Sequence, residues 1–160
     1  MKNENKAILL IGGCGSGKTW VMKNIIKTLD LTLKAKIGLV VFQTNKKIAV
    51  LGNYDGSMFE GSDRLSMAVM KDAPKIKTLI DNHRMTIVAE GDRFTNKTFI
   101  VALTPLIVRI RDKGEQGRIT RNSNQSERHI KSIQTRVDNI AADHEVENST
   151  EALELIKTLI

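Results

Sequence analysis

The 160-residue chain holds one cysteine, one tryptophan, one tyrosine and four phenylalanines. A lone thiol, Cys14, excludes a disulfide framework and fits a reducing cytoplasm. So few aromatic side chains leave little for stacking along a nucleic-acid strand, although one flipped base needs only one pocket. No apolar run approaches the roughly 20 residues that a membrane span requires. The polar start, with lysines at 2 and 6, leads straight into a short apolar stretch and offers no secretory h-region. The histidines, His83, His129 and His144, lack metal-ligand spacing, and no zinc motif or Ser-His-Asp order stands out. Nothing marks a repeat, a low-complexity tract or a linker. Residues 1–160 read as one domain, long enough to bury a core without staples.

What is present early is a complete G-x-x-x-x-G-K-[ST] sequence, Gly12, Gly13, Cys14, Gly15, Ser16, Gly17, Lys18 and Thr19. Its context fits the pattern. Residues 7–11 are wholly apolar, as in a strand buried on both faces. Residues 20–29 place Val21, Ile25, Ile26 and Leu29 at helical spacing. A strand, a glycine-rich turn and a helix let backbone N–H groups wrap a polyphosphate at a helix N-terminus. Lys18 is then expected to reach the β- and γ-phosphates of a nucleoside triphosphate, and the Thr19 hydroxyl to hold Mg2+.

Further along, 37–42 and 48–51 read as strands with a hairpin turn at 44–47. A glycine-rich stretch follows at 52–61. Ser62 is expected to cap a short helix carrying Leu65, Ala68 and Val69. Pro74 suits the first turn of the next helix, with Ile76, Leu79 and Ile80 facing the core. Residues 85–89 form a strand ending at Glu90, 95–103 a crossover helix, and 106–110 another strand, since parallel strands need a crossover between them. Residues 112–123 look like an exposed mobile loop. A capping pattern at 124–127 opens a helix with Ile130, Ile133, Val137, Ile140 and Ala141 on one face. A weak strand near Val146 and a helix over 149–160 complete the chain. Alternating strands and helices imply an α/β protein with a mostly parallel sheet and helices on both faces.

The net charge of +7 is unevenly distributed. Residues 109–136 carry eight cationic and three acidic side chains, whereas 137–160 carry one lysine against six acids. Arginine dominates the basic segment, as suits phosphate oxygens. In such sheets, ligand groups gather at the carboxyl ends of strands. Glu90 is therefore the candidate to order Mg2+ or to take the proton from an attacking hydroxyl. Asp92 competes for either role, or caps the crossover helix. Asp55 and Asp63 are further candidates for the base. Arg118 and Arg121 would supply transition-state charge from a closing lid. Tyr54 or Phe59 could line a base pocket. The motif that reads guanine, Asn-Lys-x-Asp, is absent, and a motor-type ATPase is usually longer.

The order of these parts resembles the small P-loop kinases, meaning nucleotide monophosphate kinases, polynucleotide kinase and their phage relatives. The segments at 52–66, 90–94 and 124–140 look like phage-encoded kinases, some of which phosphorylate 5-hydroxymethyluracil in DNA during thymidine hypermodification. The resemblance implies a three-layer P-loop NTPase fold with a five-stranded, mostly parallel sheet ordered 2-3-1-4-5. It implies ATP and Mg2+ at 12–19, with Thr19 and Glu90 as metal ligands, and a lid at about 112–123. It also implies acceptor contacts from the 53–64 region, where Tyr54, Asp55, Asp63 and Arg64 stand, and from Arg93. The expected activity is γ-phosphate transfer to a hydroxyl of a DNA acceptor, in the host cytoplasm if the chain is phage-encoded, with no membrane partner. Alternatives are a deoxynucleoside monophosphate kinase acting on free nucleotides, and a non-kinase P-loop ATPase or switch. The hairpin at 37–51 departs from the simple second strand of that group.

Overall fold

The computed structural model describes residues 6–56, 60–62 and 65–160. Among them, seven strands form one mixed sheet: β1 (Ala7–Ile11), β2 (Leu33–Ile37), β3 (Val40–Thr44), β4 (Ile48–Leu51), β5 (Thr86–Glu90), β6 (Leu106–Ile110) and β7 (His144–Val146). Their spatial order is β2-β3-β4-β5-β1-β6-β7. The pairs β4–β5, β5–β1, β1–β6 and β6–β7 are parallel, while β2–β3 and β3–β4 are antiparallel. The expected five-stranded sheet is thus corrected to seven strands. Numbered alone in chain order, the five parallel strands lie 2-3-1-4-5, and the hairpin β2–β3 extends that set at one edge.

Periodicity explains the two-sided burial. In the central strand β1, Ala7, Leu9 and Ile11 face one apolar cluster, and Ile8 and Leu10 face the other. On the second face lie α1 (Lys18–Thr28) and α6 (Ser149–Leu159), which contribute Val21, Met22, Ile25, Ala152, Leu153 and Ile156. On the first lie α2 (Ala73–His83) and α3 (Lys97–Leu103), together with Val137 of α5 (Glu127–Asp138). Each fully buried Leu or Ile among them stabilises the fold by roughly 1.5–3 kcal/mol.

Helix starts follow side-chain chemistry. Asn96 accepts from Phe99 N–H, Ser126 from His129 N–H, and Asn148 from Glu151 N–H. Pro74 stands in the first turn of α2, as expected. Several boundaries differ from expectation. The strand expected at 37–42 is split by a turn at 38–39, because residues 33–37 alternate Leu-Lys-Ala-Lys-Ile and form an edge strand of their own. The helix expected after Ser62 is a 3-10 segment, Met67–Asp72, capped by Ser66, whose side chain accepts from Ala68 N–H. Ser62 is instead buried beside Gly91. The cap of the crossover helix is Asn96 rather than Asp92, and the cap of α5 is Ser126. Residues 112–123 are not loop throughout: they contain α4 (Glu115–Thr120). Ala141, expected on the buried face of α5, is exposed beyond its end. No described helix is long and apolar enough to cross a membrane.

Candidate functional site

The loops after β1, β4, β5 and β6 leave the same edge of the sheet, because their strands run parallel. Register places Glu90 beside Leu10, so the last residue of β5 stands next to the glycine-rich loop. The loop closes on itself through Ser16 N–H to Gly13 O, 3.2 Å. It enters α1 at Gly17, whose φ of 94° is left-handed backbone that glycine adopts without strain. A Cβ there would lie 2.7 Å from Ser149 Cβ, so the start of α6 packs on the loop as well.

Lys18 folds back over this loop. Its Nζ donates to Gly12 O at 3.0 Å and Gly13 O at 2.9 Å, with Ser16 Oγ at 3.5 Å. Thr19 Oγ1 donates to Glu90 Oε1 at 3.4 Å, and Tyr54 OH donates to the same oxygen at 3.1 Å. Glu90 is 3% exposed. The structure therefore gathers Lys18, Thr19, Glu90 and Tyr54 around the loop. A hydroxyl and a carboxylate at its base are hard oxygen donors, and no described cluster of three His, Cys, Asp or Glu stands nearby. That donor set fits Mg2+, which binds few protein ligands and takes the rest from phosphates and water.

The second part of the site is the 52–62 loop. Asn53 and Gly61 pair as an isolated antiparallel bridge, with N–H to O distances of 3.2 and 2.6 Å. Glu60 accepts from Gly56 N–H at 2.7 Å and pairs with Lys23 of α1 at 2.9 Å. Asp55 is exposed within this loop. Phe59, Asp63 and Arg64 lie outside the described residues. Arg93 donates through Nε to Leu65 O at 3.2 Å, which ties the turn after β5 to this region.

The third part is α4, whose start is pressed onto the outer side of the glycine-rich loop. A Cβ at Gly117 would overlap the Gly15 carbonyl oxygen, and one at Gly114 would overlap Cys14 O. One at Gly15 would lie 2.5 Å from Gly114 O. Only glycine permits this approach on both sides. Arg118 Nη1 donates to Cys14 O and Lys113 O, each at 2.7 Å. Cys14 itself is buried. Arg121 is exposed one turn further on.

Three arginines of the basic segment are engaged elsewhere. Arg109 pairs with Glu145 and donates to Val137 O and Ile140 O, and Arg111 pairs with Glu145 and Glu147. These pairs hold the Glu145 carboxyl below its usual range, Arg109 contributing most, and raise Arg111. Arg136 forms an ion pair with Asp92 across the turn that follows β5. Sequence reasoning did not place Gln134 or Ser62 at the site. Gln134 Oε1 crowds Gly13, and the signal for it was only its place one turn before Asp138 on α5.

No protein-family model matches the chain, and no curated protein matches it significantly in sequence.

Proposed function

We propose that the chain is an ATP- and Mg2+-dependent kinase of the P-loop type, acting on a hydroxyl of a nucleic-acid acceptor. The favoured acceptor is 5-hydroxymethyluracil in phage DNA, a step in thymidine hypermodification, in the host cytoplasm. The supporting observation is the joint placement of Lys18, Thr19 and buried Glu90 around the glycine-rich loop at the carboxyl ends of the parallel strands.

In this mechanism the backbone N–H groups of residues 12–19 bind the triphosphate, and Lys18 balances charge on its β- and γ-oxygens. Thr19 and Glu90 would hold Mg2+ on the protein side, and the ion would supply positive charge to the triphosphate. Glu90, or Asp92 two residues on, accepts the proton of the acceptor hydroxyl. The new oxygen–phosphorus bond forms as the bond to the β-phosphate oxygen breaks, and ADP leaves. Arg118 and Arg121, on α4 and at its end, supply cations for the charge that develops. Asp55 and Arg93 border the acceptor side.

A second reading, a deoxynucleoside monophosphate kinase, gains from one observation. Arg109, Arg111 and Arg136 are paired internally, which leaves less positive surface for a long polyanion. One experiment separates the two. The protein is incubated with γ-labelled ATP, Mg2+ and, in parallel, 5-hydroxymethyluracil DNA, ordinary DNA with 5′-hydroxyl ends, and free nucleoside monophosphates. Label on the modified DNA supports the proposal. Label on the monophosphates alone replaces it with the second reading.

A further inference from the structure

Tyr54 has a position that a mere pocket lining does not require. Its hydroxyl donates at 3.1 Å to Glu90 Oε1, the same oxygen that accepts from Thr19 at 3.4 Å. Glu90 belongs to β5 and Thr19 to α1, whereas Tyr54 rides on the 52–62 loop. The neck of that loop is built directly over the carboxylate. Gly61, with φ 75°, lies so close that a Cβ would overlap Glu90 Oε1, and the same Cβ would meet the Tyr54 ring at 3.3 Å. Ser62, the next residue, fills the space above Gly91. Lys23 and Glu60 pin the far side of the loop to α1, one turn beyond Thr19.

Each donor that a buried carboxylate oxygen accepts narrows the rotamers open to it. Two donors from separate elements also link those elements. A shift of the 52–62 loop moves the Tyr54 hydroxyl, and with it the orientation in which Glu90 meets Thr19.

We infer that Tyr54 is a positioning residue, which holds Glu90 against Thr19 and so couples the 52–62 loop to the metal end of the nucleotide site. This rests on the kinase reading for the roles of Thr19 and Glu90. It assigns Tyr54 to the carboxylate rather than to an acceptor base. Displacing Tyr54 from Glu90 would leave the carboxylate less restrained at the metal end of the site.

The test is Tyr54→Phe, which keeps the ring and removes the donor. Trp20, the only tryptophan, is 46% exposed beside Thr19 and is the fluorescence probe chosen to follow nucleotide binding. ATP is titrated without metal and then at rising Mg2+. Tyr54→Phe is expected to leave metal-free ATP affinity within about twofold. It is expected to raise the Mg2+ concentration for half-maximal tightening by roughly tenfold or more, the scale of a lost outer-shell contact. In the transfer assay kcat falls while the acceptor KM holds. Lys77→Ala, which removes an exposed ion pair with Asp81 on α2 and leaves the loop and Glu90 untouched, should leave the Mg2+ midpoint within about twofold.

An unchanged midpoint in Tyr54→Phe overturns the inference. So does an equal rise in Lys77→Ala, which would mark general loosening, or a raised acceptor KM at constant kcat, which would place Tyr54 on the acceptor. If the wild type labels no acceptor yet its Mg2+ midpoint still responds to Tyr54→Phe, the kinase reading fails and the positioning role stands. If the wild type binds no ATP, both fail.

Discussion

The Thr19 hydroxyl donates to Glu90 Oε1 at 3.4 Å, a contact between residues 71 positions apart in sequence. Parallel pairing of β1 with β5 creates it, because that register brings Glu90 level with Leu10, just before the glycine-rich loop. The loop and the carboxylate are therefore one construction rather than two neighbouring features.

Glu90→Gln keeps the shape and removes the charge. Transfer is expected to fall by about a hundredfold or more, in the range for loss of a general base or charge stabiliser. Metal-free ATP affinity should hold, and the Mg2+ requirement should rise. Single-turnover kinetics with a parallel ATP titration checks both. Full transfer activity in Glu90→Gln would remove Glu90 from the chemistry and favour Asp92.

The contact of α4 with the glycine-rich loop yields a sign prediction. Replacing a helical glycine by alanine favours a helix by about 1 kcal/mol. At Gly117 the added methyl would overlap Gly15 O, and overpacking costs about 1–3 kcal/mol. Steric cost should win. Gly117→Ala is expected to lower the melting temperature and weaken ATP binding, whereas Gln116→Ala, exposed on the same helix, leaves both unchanged. A more stable Gly117→Ala would show that α4 does not rest on the loop in solution.

Arg118 and Arg121 should separate in their kinetics. Arg118 braces Cys14 O, so Arg118→Ala is expected to weaken ATP binding and slow turnover together. Arg121 stands free of the loop, and Arg121→Ala should lower kcat with ATP affinity preserved, as when an interaction is made only in the transition state. Equal loss of affinity and turnover in Arg121→Ala would count against its lid role.

Asp72 carries a pH dependence. Its carboxylate, 5% exposed, accepts Leu39 N–H at 2.7 Å and pairs with Lys75 at 3.1 Å. The backbone hydrogen bond, then Lys75, hold its carboxyl below the ordinary aspartate range. A lowered folded-state pKa gives stability that is present above the unfolded value, about 3.9, and is lost as pH falls through the lower folded value. Asp72→Asn should therefore melt below the wild type at pH 7. The gap should narrow below about pH 4, with faster Leu39 amide exchange marking the loosened β2–β3 turn. A gap that does not depend on pH would mean that the charge of Asp72 is immaterial.

Much of the architecture was legible because burial leaves a period. The apolar run of β1, the helical spacing of α1 and the strands β5 and β6 all follow from it. β2 escaped because an edge strand alternates with lysines and resembles a polar connection. The short α4 escaped because its glycines serve a close approach rather than a flexible loop. Charge was legible as a total but not as pairs. The basic segment and the acidic end face each other as β6 and β7, where Arg109 is level with Glu145. Glu90 could be singled out by its place after an apolar strand. The bond from Tyr54 could not, since it depends on how the 52–62 loop folds back.

The most direct measurement is rapid-quench transfer of labelled γ-phosphate from Mg2+-ATP to 5-hydroxymethyluracil DNA, by the wild type and by Lys18→Ala. The expected result is label on the DNA with the wild type and none with Lys18→Ala. Label released only as inorganic phosphate by the wild type, at a rate indifferent to every acceptor, would contradict a kinase.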